Sequence, residues 1–450
     1  MRSINVMEIV EKLGAQLYGD PGAAFDSVVI DTRKVVSGSL YIGFKGERVD
    51  GNTLYPQAFA QGATVCLVEN VPVGEIPKGC ALLLVKSTYR AILDLAYFYR
   101  KSLPLKIIGI TGSTGKTSTK DILHGMLSKK FRVFKTSGNF NNEIGLPLMI
   151  LSLDESYDYA ILEMGMSAPL EIHNLARVAQ PDIAVITNIG ISHIEFLGSQ
   201  ENILRAKMEI TDFFRRDSLL VLNGDDEYLS TVKDKPYTIL RGGLQNGDYV
   251  ARNLQLQKAA VSFTVNKGKE TITMDIPGKH NIHNGILCYI VAKSLGMTDA
   301  ELHEIHVEKS KMRMDLLDLH RLTVINDCYN ANPDSMKSAL DYLSTLEGRK
   351  VAILGTMREL GDESLEAHQM VARFAKEKQI DTVMVVGEYD KAMMEILGEN
   401  ALGFATFEEA AAKLHEVLKP QDTVLLKASR GMAFERFLPI LEEFGGGRHE

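Results

Sequence analysis

The chain has 450 residues, 45% hydrophobic and 24% charged, an ordinary globular balance that predicts about two to four domains. Its formal charge of -8 excludes a general nucleic-acid surface, which needs clustered lysine and arginine, but leaves room for a few placed cations on an anionic substrate. Four scattered cysteines (Cys66, Cys80, Cys288 and Cys328) with no C-x-x-C pair indicate neither a zinc site nor a disulfide framework, and suit a reducing cytoplasm.

The opening stretch, MRSINVMEIVEKLG, lacks a basic segment leading into a long apolar run. No stretch approaches about 18 apolar residues. A cytoplasmic monomer with no membrane span is expected. Residues 1–104 form a first, small α/β block. Its predicted strands are Ser27–Ile30, Leu40–Phe44, Ala63–Val68 and Ala81–Val85, followed by a helix over Tyr89–Tyr99.

The second block, 105–312, alternates helical segments with apolar strands at Lys106–Ile110, Tyr159–Met164, Ile183–Ile189 and Leu219–Leu222. Such alternation predicts a mainly parallel sheet covered by helices. The stretch Tyr249–Ile276 breaks the rhythm: VSFTVNKGKETITMDI reads as antiparallel strands around a Lys-Gly turn, an add-on to the same domain. The third block, 313–450, has predicted strands at Leu322–Asp327, Val351–Gly355, Thr382–Gly387 and Thr423–Lys427, a second doubly wound sheet. The tail GGGRHE is expected to fray. The expected architecture is therefore α/β in three domains: a small N-terminal one, a central mononucleotide-binding one with a phosphate loop, and a Rossmann-like C-terminal one.

The strongest local signal is I-I-G-I-T-G-S-T-G-K-T-S-T, Ile107 to Thr119, a strand running into a glycine-rich turn and a predicted helix Lys116–Leu127. Gly112 and Gly115 permit backbone shapes that a Cβ resists. Such a turn aims N–H groups, with the positive helix end, at phosphate oxygens. Lys116 can reach the outer phosphates and the Thr117 hydroxyl can ligate Mg²⁺. The strict G-x-x-x-x-G-K-[ST] pattern fails because Ile110 stands at its first glycine. The competing reading is an ordinary strand-to-helix turn with a surface lysine. Nucleotide binding by itself names no reaction, since kinases, switches, transporters and ligases share the device.

Glu163 and His193 follow two successive strands, at the sheet edge where ligands gather in open α/β folds. A carboxylate and an imidazole there can share a divalent ion with phosphate and water. The competing reading is an exposed acid and a loop histidine. Lys207, in the amphipathic run ENILRAKMEITDFF, reads by position as a solvated lysine paired with a neighbouring acid.

Taken in order, T-G-S-T-G-K-T-S (Thr111 to Ser118), S-G-N-F-N-N-E-I-G-L-P (Ser137 to Pro147), L-E-M-G-M from Leu162, T-N-I-G-I-S-H from Thr187, R-A-K-M-E-I from Arg205, G-K-H-N-I-H-N from Gly278 and K-M-R-M around Arg313 resemble the Mur ligase family over essentially the whole chain. Within it, D-C-Y-N-A-N-P-D-S-M-K-S-A-L (Asp327 to Leu340), G-T-M-R-E-L-G from Gly355 and K-A-S-R-G-M from Lys427 are similar to the branch that adds D-alanyl-D-alanine to a UDP-N-acetylmuramoyl-tripeptide. So are D-T-R-K-V at Asp31 and F-K-G-E-R-V-D-G-N at Phe44. There is no D-N-P-R motif, which marks the enzyme adding the preceding diamino acid.

The resemblance implies roles. ATP would lie on Gly112, Ser113, Thr114, Gly115, Lys116, Thr117 and Ser118. Thr117 and Glu163 would hold one Mg²⁺. His193 and Lys207, the latter as a carbamate, would help hold a second. Asn142 and Asn281 would contact adenine, Arg313 the γ-phosphate, and Asp327 the ribose or metal region. Asn330, Asn332 and Ser335 would position the dipeptide; Thr32, Arg33, Asp50 and Gly51 would hold UDP. An acyl phosphate would form from the tripeptide carboxylate and be captured by the dipeptide amine. The sequence departs from the family pattern at Leu170 and Ala428 (glycine expected), Thr356 and Asn326 (aspartate expected) and Asn52 (histidine expected). Three alternatives stay open: HNIHN as a helix cap with surface amides, YNANP as a turn opening a helix near Asn332, and the whole chain as a sister ligase or a nucleotide-operated switch.

Overall fold

The structure, a computed structural model, describes residues 1–268 and 270–446. Three sheets divide the chain, with a two-stranded ribbon at its start. In the first, Ser27–Val29, Ser39–Ile42, Val65–Val68 and Ala81–Leu84 run parallel, and Gln16–Gly19 closes one edge antiparallel to Ala81–Leu84. That edge strand was not expected. It is short and never buried, so it carries no continuous apolar run.

The helix Thr88–Ser102 is capped by the Ser87 hydroxyl, which accepts from the Arg90 N–H. Its stripe of Ile92, Leu95, Ala96 and Tyr99 faces the second block rather than solvent, with i, i+3 and i, i+4 spacing. Tyr99 donates its hydroxyl to the Leu153 carbonyl at 2.7 Å, and Arg177 pairs with Asp94 at 2.9 Å. The first and second blocks therefore share one continuous apolar core.

The central sheet has ten strands. Val133–Lys135, Tyr159–Glu163, Lys106–Thr111, Ile183–Ile186, Leu219–Asn223 and Thr238–Gly243 are parallel in that spatial order. The third of the expected strands, Ile183–Ile189, thus ends three residues early, where Thr187 to Gly190 turn to hold the neighbouring glycine loop. The expected add-on is present: Tyr249–Leu256, Val261–Val265 and Thr271–Met274 pair antiparallel and extend the same sheet. The helix His280–Ser294 packs across Lys116–Leu127. Because it lies between sheet and helix, Asn281 and Asn284 are buried, so HNIHN does not present surface amides.

The C-terminal sheet runs Asp315–Asp318, Leu322–Asn326, Asp422–Lys427, Lys350–Gly355, Thr382–Val386 and Ala401–Phe404, all parallel except the first. The first and last strands were not expected, again short edge elements. Pro333–Ser344 begins as YNANP suggested, with Asn332 as its N-cap. Of the tail, Gly445 ends the last helix and Gly446 adopts φ 84°; residues 447–450 lie outside the described residues. Among the described residues no helix is long and apolar enough to cross a membrane.

Candidate active site

The buried strand Lys106–Thr111 delivers the glycine turn, and the helix Lys116–Leu127 leaves it. Gly112 has φ 149°, and a Cβ there would stand 1.8 Å from Thr187 Oγ1; Gly115 has φ 78°, and its Cβ would meet Asn284 Oδ1 at 2.8 Å. Both positions are closed to any side chain. The turn is held from the neighbouring strand's exit: the Ser113 N–H donates to the Asn188 carbonyl at 3.1 Å. The Thr114 N–H donates to Asn188 Oδ1 at 2.8 Å, and the Gly190 N–H to Ser113 Oγ at 2.9 Å. The first N–H groups of the helix beyond have no intrahelical acceptor and point into the turn. Lys116 Nζ donates to the Gly112 carbonyl at 2.7 Å. Burial lowers its pKa, while Glu163 opposes the shift.

Glu163 ends its strand 4% exposed. Its Oε2 accepts from Thr117 Oγ1 at 2.9 Å and its Oε1 from Asn141 Nδ2 at 2.9 Å. His193 adopts φ 64°. Its Nδ1 lies 2.7 Å from Glu359 Oε2 of the third block, without hydrogen-bond alignment. Lys207, on the helix Gln200–Met208, is 1% exposed. It has no hydrogen-bond or ion-pair partner among the described residues. Burial first, then the charge of Lys116, pushes its pKa well below that of an ordinary lysine. The reading of Lys207 as a solvated lysine paired with an acid is thereby overturned.

Two cavities flank the turn. One, of about 550 Å³, is walled by Tyr89 of the first block, by Lys116, Asn141, Asn142, Glu143, Glu163 and His193 of the second, and by Arg313, Tyr329, Asn330, Glu359 and Arg430 of the third. The other, of about 510 Å³, is walled by Thr114, Gly115, Ser118, Asn188, His280, His283, Asn284, Asp327, Ser335 and Lys427. Arg313 borders both. Its guanidinium lies over the Tyr329 ring, 4.1 Å from the centroid. The residues on either side are bent into the left-handed region, Met312 at φ 58° and Met314 at φ 53°. Carboxylates hold both bends: Asp315 Oδ2 accepts the Met312 N–H at 2.6 Å and Asp327 Oδ1 the Met314 N–H at 3.2 Å. Lys427, 2% exposed, neutralises Asp327 at 2.5 Å.

Not every expected residue lies where the resemblance put it. Asn142 and Asn281 do not line one cavity. Asn142 lines the first cavity. Asn281 is buried, donating to the Pro277 carbonyl at 2.7 Å and accepting from Asn284 Nδ2 at 3.0 Å, so Asn284 is the amide that reaches the turn. Asn330 lines the first cavity. Asn332 and Ser335 form a reciprocal cap, Ser335 N–H to Asn332 Oδ1 at 2.9 Å and Asn332 N–H to Ser335 Oγ at 3.0 Å. The remaining Asn332 amide donates across the blocks to Ser192 Oγ at 2.5 Å and the Ser113 carbonyl at 3.4 Å.

In the first block, Thr32 and Arg33 follow one strand and Asp50 and Gly51 the loop after its parallel neighbour. Arg33 pairs with Asp31 at 2.8 Å. Asp50 Oδ1 accepts from the Asn52 N–H at 3.0 Å, and the Gly51 carbonyl accepts from Tyr41 Oη at 2.9 Å. Asn52, 2% exposed, accepts the Glu69 N–H at 2.8 Å, a structural task for the amide that replaces histidine. Glu359, Arg430, Tyr89, Asn141 and Asn284 were missed. All but Tyr89 sat in motifs quoted for the resemblance, Glu359 in G-T-M-R-E-L-G and Arg430 in K-A-S-R-G-M, but no role was assigned to them.

Among the described residues no three His, Cys, Asp or Glu side chains cluster into a cage for a metal. The paired Thr117 hydroxyl and Glu163 carboxylate are hard oxygen donors suited to an ion that completes its shell with phosphate and water.

Residues 110–292 match the Mur ligase middle domain, and residues 312–430 the Mur ligase, glutamate ligase domain. The UDP-N-acetylmuramoyl-tripeptide–D-alanyl-D-alanine ligase of Bacillus subtilis (strain 168) is 37% identical over 426 residues, 92% of this chain and 93% of its own. MurF from Acinetobacter baumannii superposes with a TM-score of 0.91 at 28% identity, covering 98% of this chain and 99% of that one. MurF ligase from Thermotoga maritima in complex with ADP gives 0.83 at 29% identity, covering 93% and 97%.

Proposed function

The chain belongs to the Mur ligase family, and from that premise we propose that it is an ADP-forming ligase joining D-alanyl-D-alanine to a UDP-N-acetylmuramoyl-tripeptide in peptidoglycan precursor synthesis. The observation that carries the reading is the first cavity. There the phosphate-loop lysine, the Thr117–Glu163 pair and side chains from all three blocks meet. A switch needs the loop alone; a ligase needs a chamber where an acid, a nucleotide and an amine converge.

The tripeptide carboxylate attacks the γ-phosphate of ATP, giving an acyl phosphate and ADP. The dipeptide amine then attacks the acyl carbon, loses a proton and expels phosphate. The unassisted step is slow because a carboxylate is a poor acyl donor and the two reactants are both anions. Lys116 exchanges its bond to the Gly112 carbonyl for phosphate oxygens. Arg313, stacked on Tyr329 and set between the cavities, meets the transferred group from the other side. The nucleoside occupies the second cavity, where Asn281 acts by orienting Asn284, and Asp327 lies beside the ribose. The acyl substrate occupies the first, beside Asn142. Thr32, Arg33, Asp50 and Gly51 hold UDP. Asn330 faces the dipeptide, while Asn332 and Ser335 place the helix that brings the third block over the loop.

Thr117 and Glu163 would hold one Mg²⁺; His193 and a carbamate on Lys207 would hold the second. When bound, the ions would neutralise charge on the phosphoryl group. Support for the carbamate lies in the buried, partnerless amine: its neutral form is favoured, and only a neutral amine adds CO₂. Docking of the third block, through Asn332 on Ser192 and Ser113, keeps water from the acyl phosphate.

The test is phosphate release from ATP with the UDP-tripeptide, with and without D-alanyl-D-alanine, using L-lysine and glutamate as alternative acceptors. Turnover should require both the UDP-tripeptide and the dipeptide. Release independent of either, or equal turnover with L-lysine or glutamate, would overturn the reading.

A further inference from the structure

The acceptor dipeptide is a zwitterion. Its site must offer a cation to the terminal carboxylate and an anion beside the ammonium that becomes the nucleophile. The third block presents Arg313, Tyr329, Asn330, Glu359 and Arg430 to the first cavity. Arg313 is committed to the ring of Tyr329 and the phosphate side. Asn332 and Ser335, expected to touch the dipeptide, are saturated by the helix cap and by Ser192 and Ser113. That leaves Glu359, Arg430 and the Asn330 amide.

Glu359 is the only acid that the third block contributes to this wall among the described residues. It sits at φ 65°, a left-handed backbone that a residue with a Cβ resists, and such strain collects at ligand sites. Its carboxylate is half exposed and reaches across the blocks to within 2.7 Å of His193 Nδ1, on the wall shared with Lys116 and Glu163. Arg430 is also half exposed; one of its guanidinium nitrogens contacts Glu435 at 2.7 Å and Met312 Sδ at 3.8 Å. Asn330 Oδ1 accepts the Ala331 N–H at 2.9 Å, which leaves its amide N–H groups for the cavity. An extended dipeptide spans about 7 Å, which a chamber of about 550 Å³ accommodates.

We propose that Glu359 binds the dipeptide ammonium and Arg430 its terminal carboxylate, which puts the amine on the wall where the acyl phosphate forms. The inference rests on the ligase reading above and adds the residues that select the acceptor.

The test is steady-state kinetics on the full chain with E359Q, E359D, R430M and the wild type, together with positional isotope exchange in ATP. The exchange needs the UDP-tripeptide but no dipeptide, so it reports the first half-reaction alone. E359Q should raise the dipeptide KM roughly tenfold to a hundredfold, the effect of losing a charge-assisted hydrogen bond. The ATP KM, the Mg²⁺ requirement, the isotope exchange and the melting temperature should not move. E359D should restore part of the affinity. D-alanyl-D-alaninamide should be a poor acceptor for the wild type, and R430M should erase its disadvantage against the free acid. An unchanged dipeptide KM in E359Q overturns the proposal. So does a shift in ATP or Mg²⁺ dependence instead, which would make Glu359 a metal-side group. If the wild type shows no dipeptide-dependent phosphate release, the ligase reading itself fails.

Discussion

Replacing Lys207 by methionine isolates the property that sets this lysine apart. The amine is 1% exposed with no counter-ion among the described residues, and both burial and Lys116 disfavour its charge. In the unfolded chain it titrates near 10.4. Folding at pH 7 in CO₂-free buffer therefore either strips its proton or buries a bare charge. Stripping the proton costs at most about 5 kcal/mol, at about 1.4 kcal/mol per pH unit below the ordinary value. The folded-state pKa is lowered, so the unfolded chain binds more protons between the two values. Stability of the wild type then rises with pH across that window, and the penalty vanishes above the ordinary lysine range. Lys207→Met fills the same volume without the charge. Its thermal and denaturant stability should exceed the wild type's by about 2–5 kcal/mol at pH 7, with the gap closing towards pH 10. Added bicarbonate should narrow the gap at neutral pH by converting the wild-type amine. Amide synthesis should fall sharply, and in Lys207→Ala, which leaves room, small carboxylates should restore part of it. A methionine variant that is less stable than the wild type at pH 7, or a gap independent of pH, would mean that the amine has a partner and that the burial argument is wrong.

Lys116→Ala should reduce dipeptide-dependent phosphate release by at least about a hundredfold while leaving the melting curve in place. Near-normal turnover would remove the lysine from the phosphate site. Leu170, at φ 69° and 61% exposed, holds a conformation suited to glycine while burying little. Leu170→Gly should therefore raise stability by about 0.5–1 kcal/mol in a denaturant melt. Lys427→Met leaves Asp327 buried without its cation. It should destabilise the chain by about 3 kcal/mol and, by loosening Met314 and so Arg313, lower kcat more than it raises the ATP KM.

Strands buried on both faces announced themselves. Lys106–Thr111, Ile183–Ile186 and Leu219–Asn223 are nearly unbroken apolar runs because parallel strands covered by helices must be. Gln16–Gly19, Val133–Lys135, Asp315–Asp318 and Ala401–Phe404 stayed hidden because an edge strand needs only a partner on one side. The same distinction separates the site residues. Those that make up the glycine turn and its Thr117–Glu163 pair are contiguous in local motifs, and geometry placed them together. Glu359, Arg430 and Tyr89 enter the chamber from other blocks. Glu359 and Arg430 lie in quoted motifs, but that they meet Lys116 and Glu163 in one chamber follows from how the blocks dock, which no local pattern encodes.

Asn332 shows how docking changes a residue's meaning. Read along the chain, an asparagine before proline and two residues ahead of aspartate is equally a cap and a ligand. In the fold its Oδ1 is taken by the Ser335 N–H, and its amide goes to Ser192 and the Ser113 carbonyl. Ser113 belongs to the glycine turn itself, and Ser192 adjoins His193. One side chain thus ties the third block's helix to both the glycine turn and the loop that carries His193. The contact spans the boundary between the second and third blocks, so its loss in Asn332→Ala should weaken their docking rather than any single substrate's affinity. A doubling or more of acyl-phosphate hydrolysis relative to amide formation, read as ADP released per amide bond, is the expected signature. A variant that keeps tight coupling but loses dipeptide affinity would return Asn332 to the role of a direct ligand.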